Sequence, residues 1–340
     1  MQPEDLLPFW ALRGEPVRTA PDNGLINRTY FVGEPVRAVL QWVNPIFHPT
    51  LQIDLDAVTR HLEERGQTTP RLLPTAEGEL WVDDDERGVW RMLSFVPGTT
   101  IHQMTTPAKA AAAGKLVGRF HAALADFDYA PRAPQRNIHD TPARMSELEA
   151  ALAGCDGHPF AAPARELGRE ILDGFASWDG QIELPTRICH GDLKISNLRF
   201  DENGENGVCL LDFDTIAPMA LAVEMGDAWR SWCNPAGESD PAAVAFDLEI
   251  FEASTRAWLA SFPAITAPER ESLAGGTERI CWELAARFCA DAVNNRYFLE
   301  SRDRWPRPGE HNLVRATGQR NLARAARAAR CACERIVRTS

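Results

Sequence analysis

The sequence predicts an α+β protein of two lobes, a small β-rich one followed by a larger and mostly helical one. Three observations carry this. The chain has 340 residues, too long for one small core and suited to about two domains. Its first hundred residues are dominated by short runs of β-formers. After Pro97 and Gly98 the apolar period becomes helical, apart from one return to strand and turn between residues 186 and 215.

The elements follow in order. GLINRTYFVG (24–33) and PVRAVLQWVN (35–44) read as two strands joined through Gly33, Glu34 and Pro35. LQIDLDAVTRHLEERG (51–66) has helical period, with Ile53, Leu55, Val58 and Leu62 near one face and Gly66 as C-cap. ELWVDD (79–84) and VWRMLSFV (89–96) are two further strands, and a linker near 96–98 divides residues 1–96 from 97–340. Residues 107–127 form an Ala-rich helix with Leu116, Phe120 and Leu124 on one stripe. A Pro-rich loop (129–142) and two more helices precede the β insertion, and 241–336 is again helical, interrupted at 301–311.

Composition narrows the function classes. The formal net charge of −12 argues against a nucleic-acid partner, which would favour a basic patch. No stretch of about 18 apolar residues occurs, so no membrane partner is expected. The acidic start, MQPEDLLPFW, lacks an apolar signal core and predicts a cytoplasmic protein. The eight cysteines form no Cys-x-x-Cys or paired zinc spacing, which fits a reduced compartment; Cys189, Cys209, Cys281 and Cys289 lie in apolar runs as small buried hydrophobes. The arginines at 315, 320, 324, 327 and 330 predict a solvated helix face.

The chemistry gathers at CHGDLKISN (189–197) and LLDFDT (210–215). Phosphoryl transfer from a nucleotide asks for a carboxylate to take the acceptor's proton and hard oxygen ligands to hold Mg²⁺ against the phosphates. Kinase catalytic loops supply these as Asp-x-x-x-x-Asn, with a metal aspartate on the next hairpin. Asp192 and Asn197 have that spacing, and Asp212 follows a strand pair whose turn, DENGENG, suits a hairpin. This predicts Asp192 as base, Asn197 and Asp212 as metal ligands, and Lys194 directed at the γ-phosphate. His190 reads as a structural hydrogen-bonder. Asp214 either touches a second Mg²⁺ or shapes the turn.

With these residues the chain resembles the aminoglycoside phosphotransferase and choline kinase superfamily, which has the protein-kinase-like fold. His190, Gly191 and Asp192 through Asn197 match its catalytic signature, and Asp212 its metal aspartate. Within it the chain is similar to the N-acetylhexosamine 1-kinase group: GLINRTYFV, VLQWVN, WRMLSFVPG, IHDTPARM, GDAWRS, RFCADAVNNRYF and EHNLVRATGQ carry the likeness over about residues 23 to 320. The resemblance implies ATP and Mg²⁺ as cofactors. Gly24, Asn27, Thr29 and Gln41 would face the nucleotide. Met92, Ser94 and Val96 would lie in an inter-lobe linker that reads adenine. Asp227 and Arg230 would line the acceptor pocket or brace the catalytic loop, and Arg287 and Tyr297, near Asp291, would bind the sugar.

Departures are visible. Gln41 stands where kinases carry a strand lysine, and the helix offers Asp54 and Asp56 rather than a clear glutamate partner. Leu25 and Arg28 also differ from the group's loop. The expected acceptor is a small molecule with a hydroxyl, above all the anomeric hydroxyl of a hexosamine-type sugar. An aminoglycoside, choline or homoserine is the alternative within the fold, and a non-catalytic binding protein the alternative of another class.

Overall fold

The computed structural model describes residues 2–21, 26–84, 86–134, 138–294 and 303–340. A 3-10 helix (Pro3–Trp10) opens the chain. Strands β1 (Val17–Thr19), β2 (Arg28–Val32) and β3 (Ala38–Trp42) follow, then helix α1 (Leu51–Glu64) and strands β4 (Val82–Asp84) and β5 (Gly88–Ser94). The five strands make one antiparallel sheet in the order β1-β2-β3-β5-β4. The face turned away from α1 has a core of its own, in which Leu6, Leu7 and Trp10 pack on Val32, Leu40, Trp90 and Met92. The opening helix was not legible in the sequence, because an eight-residue 3-10 segment interrupted by Pro8 is too short to show a periodic pattern.

Two expectations for this half are corrected. Ile53 is 37% exposed, whereas Gln52, Asp54 and Asp56 are buried on α1. Asp54 is committed to the segment at 129–133: it accepts from the Tyr129 hydroxyl at 2.6 Å and from Arg132 N and Ala133 N at 2.7 and 2.9 Å. Asp56 pairs with Arg60 and, at 3.0 Å, with Arg71. Second, Met92 and Ser94 lie within β5 rather than in a linker. Met92 O accepts from Leu73 N and Ser94 N donates to Arg71 O, each at 2.8 Å, so their ladder positions are filled.

The remainder is helical around a β insertion. It comprises β6 (Thr99–Thr100), α2 (Pro107–Ala123), α3 (Thr141–Ala153) and α4 (Ala161–Ala176). Then come β7 (Arg187–Cys189), β8 (Leu198–Phe200), β9 (Gly207–Leu210) and β10 (Ala217–Met219). Helices α5 (Leu221–Trp232), α6 (Leu248–Ser261), α7 (Ala267–Ser272), α8 (Gly276–Asn294) and α9 (Glu310–Thr339) complete it. The β8–β9 hairpin turns at 201–207, with Asp201 N donating to Asn206 O at 2.9 Å. β10 pairs back on β7, Ala217 opposite Cys189, so the loops after β7 and after β9 lie side by side.

Helix α5 is buried at every position but Ser231 and runs beneath both loops, and α8 packs between α3, α4, α5 and α9. The arginines of α9 are a solvated face only in part: Arg324 is exposed and Arg327 partly so, whereas Arg315, Arg320 and Arg330 are largely covered. Arg315 reaches Glu238 at 3.0 Å, Arg320 and Arg324 share Glu170 at 2.7 and 2.8 Å, and Arg330 reaches Glu278 at 3.3 Å. They fasten α9 to its neighbours. All eight cysteines are free, and all but Cys331 are buried.

Candidate active site

The loop after β7 is held from three sides. From α5, the Glu224 carboxylate accepts His190 N and Gly191 N, each at 2.8 Å, while Ser231 Oγ accepts Ile195 N at 3.0 Å and Trp232 Nε1 donates to Leu193 O at 2.9 Å. From the neighbouring loop, Thr215 Oγ1 donates to His190 O at 2.8 Å. Gly191 has φ +82° and a Cβ there would lie 2.4 Å from Thr215 O, so only glycine lets the two loops touch. His190 donates from Nε2 to Leu211 O at 2.8 Å, and its Nδ1 accepts Asp192 N at 3.4 Å. The ring is spent on backbone groups, as a structural hydrogen-bonder.

From α8 and the loop before α3 comes a support that sequence reasoning missed. His139 faces Glu283 Oε1 with Nδ1 at 2.8 Å and Gly191 O with Nε2 at 3.3 Å. Both partners are acceptors, so both ring nitrogens carry protons. Burial pushes the His139 pKa down, but the Glu283 carboxylate, with Asp227 behind it, outweighs burial and Arg287 and holds it above its ordinary value. IHDTPARM marked the stretch without assigning this role. Glu224 lay in an apolar run with no spacing signal.

Asp192 is half-buried. Lys194 Nζ donates to its Oδ2 at 2.5 Å, and Asn197 Nδ2 donates to its backbone carbonyl at 2.8 Å and to Oδ2 at 3.0 Å. Oδ1 accepts no hydrogen bond from the described residues. Burial raises the Asp192 pKa, but the Lys194 ammonium more than offsets this, so the carboxyl is held below the ordinary range and is ionised at neutral pH. Burial lowers and Asp192, with Asp212, raises the Lys194 pKa, with a net upward shift that keeps its charge.

Asp212 stands at φ 65°, ψ 64°, one of two non-glycine residues with positive φ among the described residues. Its carboxylate accepts no hydrogen bond from any described residue. Enclosure by protein atoms raises its pKa first, and the charges of Asp214 and Asp192 raise it further against Lys194 and Arg91. The residue is open to solvent at its surface, so the mutual repulsion is the stronger reason for the shift. The Asp212 carboxylate and the Asn197 Oδ1, whose Nδ2 is already committed, make a hard oxygen donor set. That donor set fits a divalent cation such as Mg²⁺. Asp214, set beside Asp212 by the sequence, is engaged otherwise: both its oxygens accept from Arg91, at 2.5 and 3.0 Å, and Oδ2 also accepts from Asn27.

A second group with metal-ligand atoms, His121, Cys189 and Glu224, is a hydrogen-bond cluster instead. Both Glu224 oxygens take backbone N–H groups, His121 Nδ1 accepts from Trp258 at 2.9 Å, and burial holds the Cys189 thiol protonated.

Across from these loops, Gln41 on β3 donates to Thr29 Oγ1 at 3.1 Å and accepts from Arg91 Nε at 2.9 Å. Asn27 is buried, and its Oδ1 accepts Asn44 N at 2.9 Å. Val96 O accepts from Arg199 at 3.3 Å, and Met92 has no exposed surface. Gly24 lies outside the described residues, as does Tyr297.

Asp227 and Arg230 are buried on α5. Arg230 donates to Asp227 Oδ1 at 3.0 and 2.8 Å and to Glu238 at 2.7 Å, while Asp227 Oδ2 is buried without a hydrogen bond. Arg287 and Asp291 line a cavity of about 820 Å³ whose wall also includes Asp214, Thr215, Arg144 and Glu147. Of the described site residues, Arg287 and Asp291 line one cavity with Asp214; Asp192, Lys194 and Asn197 are joined by hydrogen bonds; Asn27 bonds Asp214 and Gln41 reaches it through Arg91, while Met92 and Ser94 belong to the sheet.

A model of the phosphotransferase enzyme family matches residues 17–261. The fold is also that of solved kinases. An aminopropanol kinase associated with a microcompartment is 16% identical, with 96% of this chain and 97% of that one covered and a TM-score of 0.65. An aminoglycoside phosphotransferase from Alicyclobacillus acidocaldarius is 17% identical over 98% and 97%, TM-score 0.62. An amicoumacin kinase, solved in complex with AMP-PNP, Ca²⁺ and Ami, is 12% identical over 96% and 92%, TM-score 0.58. An antiparallel sheet lobe, a helical lobe and the match over 17–261 lead to one conclusion: this chain belongs to the phosphotransferase enzyme family and has its kinase-like fold.

Proposed function

We propose that this phosphotransferase moves the γ-phosphoryl group of ATP to the anomeric hydroxyl of a hexosamine-type sugar. Residues 1–96 serve as the nucleotide-binding lobe, and residues 97–340 carry the catalytic and acceptor-binding groups. The observation that carries the reading is that the Asp192 Oδ1, the Asp212 carboxylate and the Asn197 Oδ1 accept no hydrogen bond from any described residue. Asp192, ionised at neutral pH, takes the proton of the acceptor hydroxyl through Oδ1 as the oxygen attacks phosphorus. Lys194 and Asn197 hold its other oxygen in place. Asn197 and Asp212 would hold Mg²⁺, which when bound neutralises charge on the phosphates. ATP and a divalent cation are supported by the AMP-PNP and Ca²⁺ of the amicoumacin kinase.

Gly24, Asn27, Thr29, Gln41 and the Val96 backbone are the proposed nucleotide contacts. The sugar reading draws on the mixed charge of the cavity, where Arg287 and Arg144 accompany Asp291 and Glu147. A planar guanidinium donates two hydrogen bonds to sugar oxygens but repels a cationic acceptor. One observation favours a second reading. Asp227 Oδ2 is buried and unpartnered, and an amino alcohol of the kind the aminopropanol kinase is named for would satisfy it. A panel of hexosamines, aminoglycosides, choline, homoserine and aminopropanol with ATP separates them. Phosphorylation of a hexosamine, with Arg287→Ala raising KM for the sugar more than for ATP, is the expected result. Transfer to amino alcohols alone would replace the sugar reading.

A further inference from the structure

Arg91 is a cation 1% exposed on β5, directly across the ladder from Gln41 on β3. Nε donates to Gln41 Oε1 at 2.9 Å. Nη1 donates to Gln52 Oε1 at 3.0 Å and to Asp214 Oδ1 at 2.5 Å, and Nη2 to Asp214 Oδ2 at 3.0 Å. The guanidinium thus ties β3, β5 and α1 of the sheet lobe to the loop that follows β9 in the helical part. Asp214 accepts in addition from Asn27, whose Oδ1 holds Asn44 N at 2.9 Å.

A buried ion pair is weak evidence for stability, because well-packed apolar residues of similar volume do as well or better. Its presence here asks for another reason. Two residues before Asp214, Asp212 holds a left-handed backbone, a conformation that is unfavourable for a non-glycine residue and persists only where neighbours enforce it. Kinases place a strand lysine at the position of Gln41 and pair it with a helix glutamate. In this chain the helix supplies the neutral Gln52, the strand the neutral Gln41, and both turn to Arg91.

We propose that the Arg91–Asp214 pair is the positioning clasp of the nucleotide site. It fixes the Asp212 backbone and the Asn27 stretch against the sheet, and so sets the affinity for the metal–nucleotide complex. The inference rests on the phosphoryl-transfer reading above.

The decisive variant is Arg91→Met combined with Asp214→Asn, which removes both charges together and avoids leaving one buried alone. Calorimetric titration with ATP, with and without Mg²⁺, and thermal unfolding are compared with wild type. The double variant is expected to stay folded and to bind Mg²⁺–ATP about 10–100-fold more weakly, the usual cost of removing a group that orients a metal ligand. KM for the acceptor should change much less than KM for ATP. Arg91→Lys keeps the charge but not the fork and should fall between the two. Wild-type Mg²⁺–ATP affinity in the folded double variant overturns the clasp. So does failure of both variants to fold, which would make the pair a folding element. A wild-type protein that binds no Mg²⁺–ATP instead overturns the phosphoryl-transfer reading on which the clasp depends.

Discussion

The Asn197 side chain lies across Asp192, with Nδ2 donating to the Asp192 backbone carbonyl at 2.8 Å and to Oδ2 at 3.0 Å. One amide thereby ties the proposed base to the proposed cation site: its nitrogen steadies the carboxylate, and its oxygen is directed elsewhere. Replacement of either residue should produce a different kinetic signature.

Asp192→Asn removes the proton acceptor but keeps its shape. Turnover on the acceptor should fall by about 10²–10⁴-fold, the usual contribution of a general base, with ATP affinity nearly unchanged. Turnover close to wild type would remove Asp192 from the reaction.

Asp212→Ala and Asn197→Ala each take one hard oxygen from the proposed cation site. ATP should then bind with little dependence on Mg²⁺, a loss of about 10-fold or more in its presence. Because repulsion from Asp214 and Asp192 raises the Asp212 pKa, Asp212→Ala should also relieve like-charge strain and leave thermal stability equal or higher. Unchanged Mg²⁺ dependence in both variants would rule out the assignment.

The residues that hold the loop can be tested apart from catalysis. Glu224→Ala leaves His190 N and Gly191 N buried without acceptors, at about 1–3 kcal/mol for each unsatisfied group. A marked drop in melting temperature is expected, with Glu224→Gln milder because one acceptor oxygen remains. A melting temperature unchanged in Glu224→Ala would show that the loop does not depend on this carboxylate.

The His139–Glu283 pair gives stability a pH signature. His139 is raised above its ordinary value by Glu283, so its contribution is complete below about pH 6.5, the unfolded value, and is lost as pH rises through the higher folded value. Burial raises Glu283, but His139 outweighs it and lowers the net pKa, so the Glu283 share is present above its ordinary value and lost as pH falls through the lowered one. His139→Gln should therefore unfold with a flatter alkaline limb than wild type in urea titrations across pH 6 to 9. Parallel limbs would mean that His139 is not charged in the native state. Asp227 and Arg287 also face this imidazole and are left unchanged in the comparison.

What was legible in the sequence was local. Asp192, Asn197 and Asp212 fall on fixed spacings in a strand–loop–strand–hairpin context, and the β8–β9 turn declares itself by its Asn and Gly content. The supports were not legible because they act across long separations. Arg91 meets Asp214 across 123 positions, and His139 meets Glu283 across 144. Ile53 was misplaced because apolar periodicity ranks residues by hydrophobicity, whereas α1 turns Gln52, Asp54 and Asp56 inward to satisfy buried donors. The end of β5 at Ser94 is not legible because the strand carries no sharper mark there than the following Pro97 and Gly98.

The most direct test of phosphoryl transfer to a sugar is ³¹P NMR of the reaction of wild-type protein with ATP, Mg²⁺ and an N-acetylhexosamine. The expected result is an anomeric sugar phosphate appearing as ATP becomes ADP, and its disappearance when Asp192→Asn replaces wild type. A phosphate ester formed only on choline, aminopropanol, homoserine or an aminoglycoside, with no signal from any hexose or hexosamine, would contradict it.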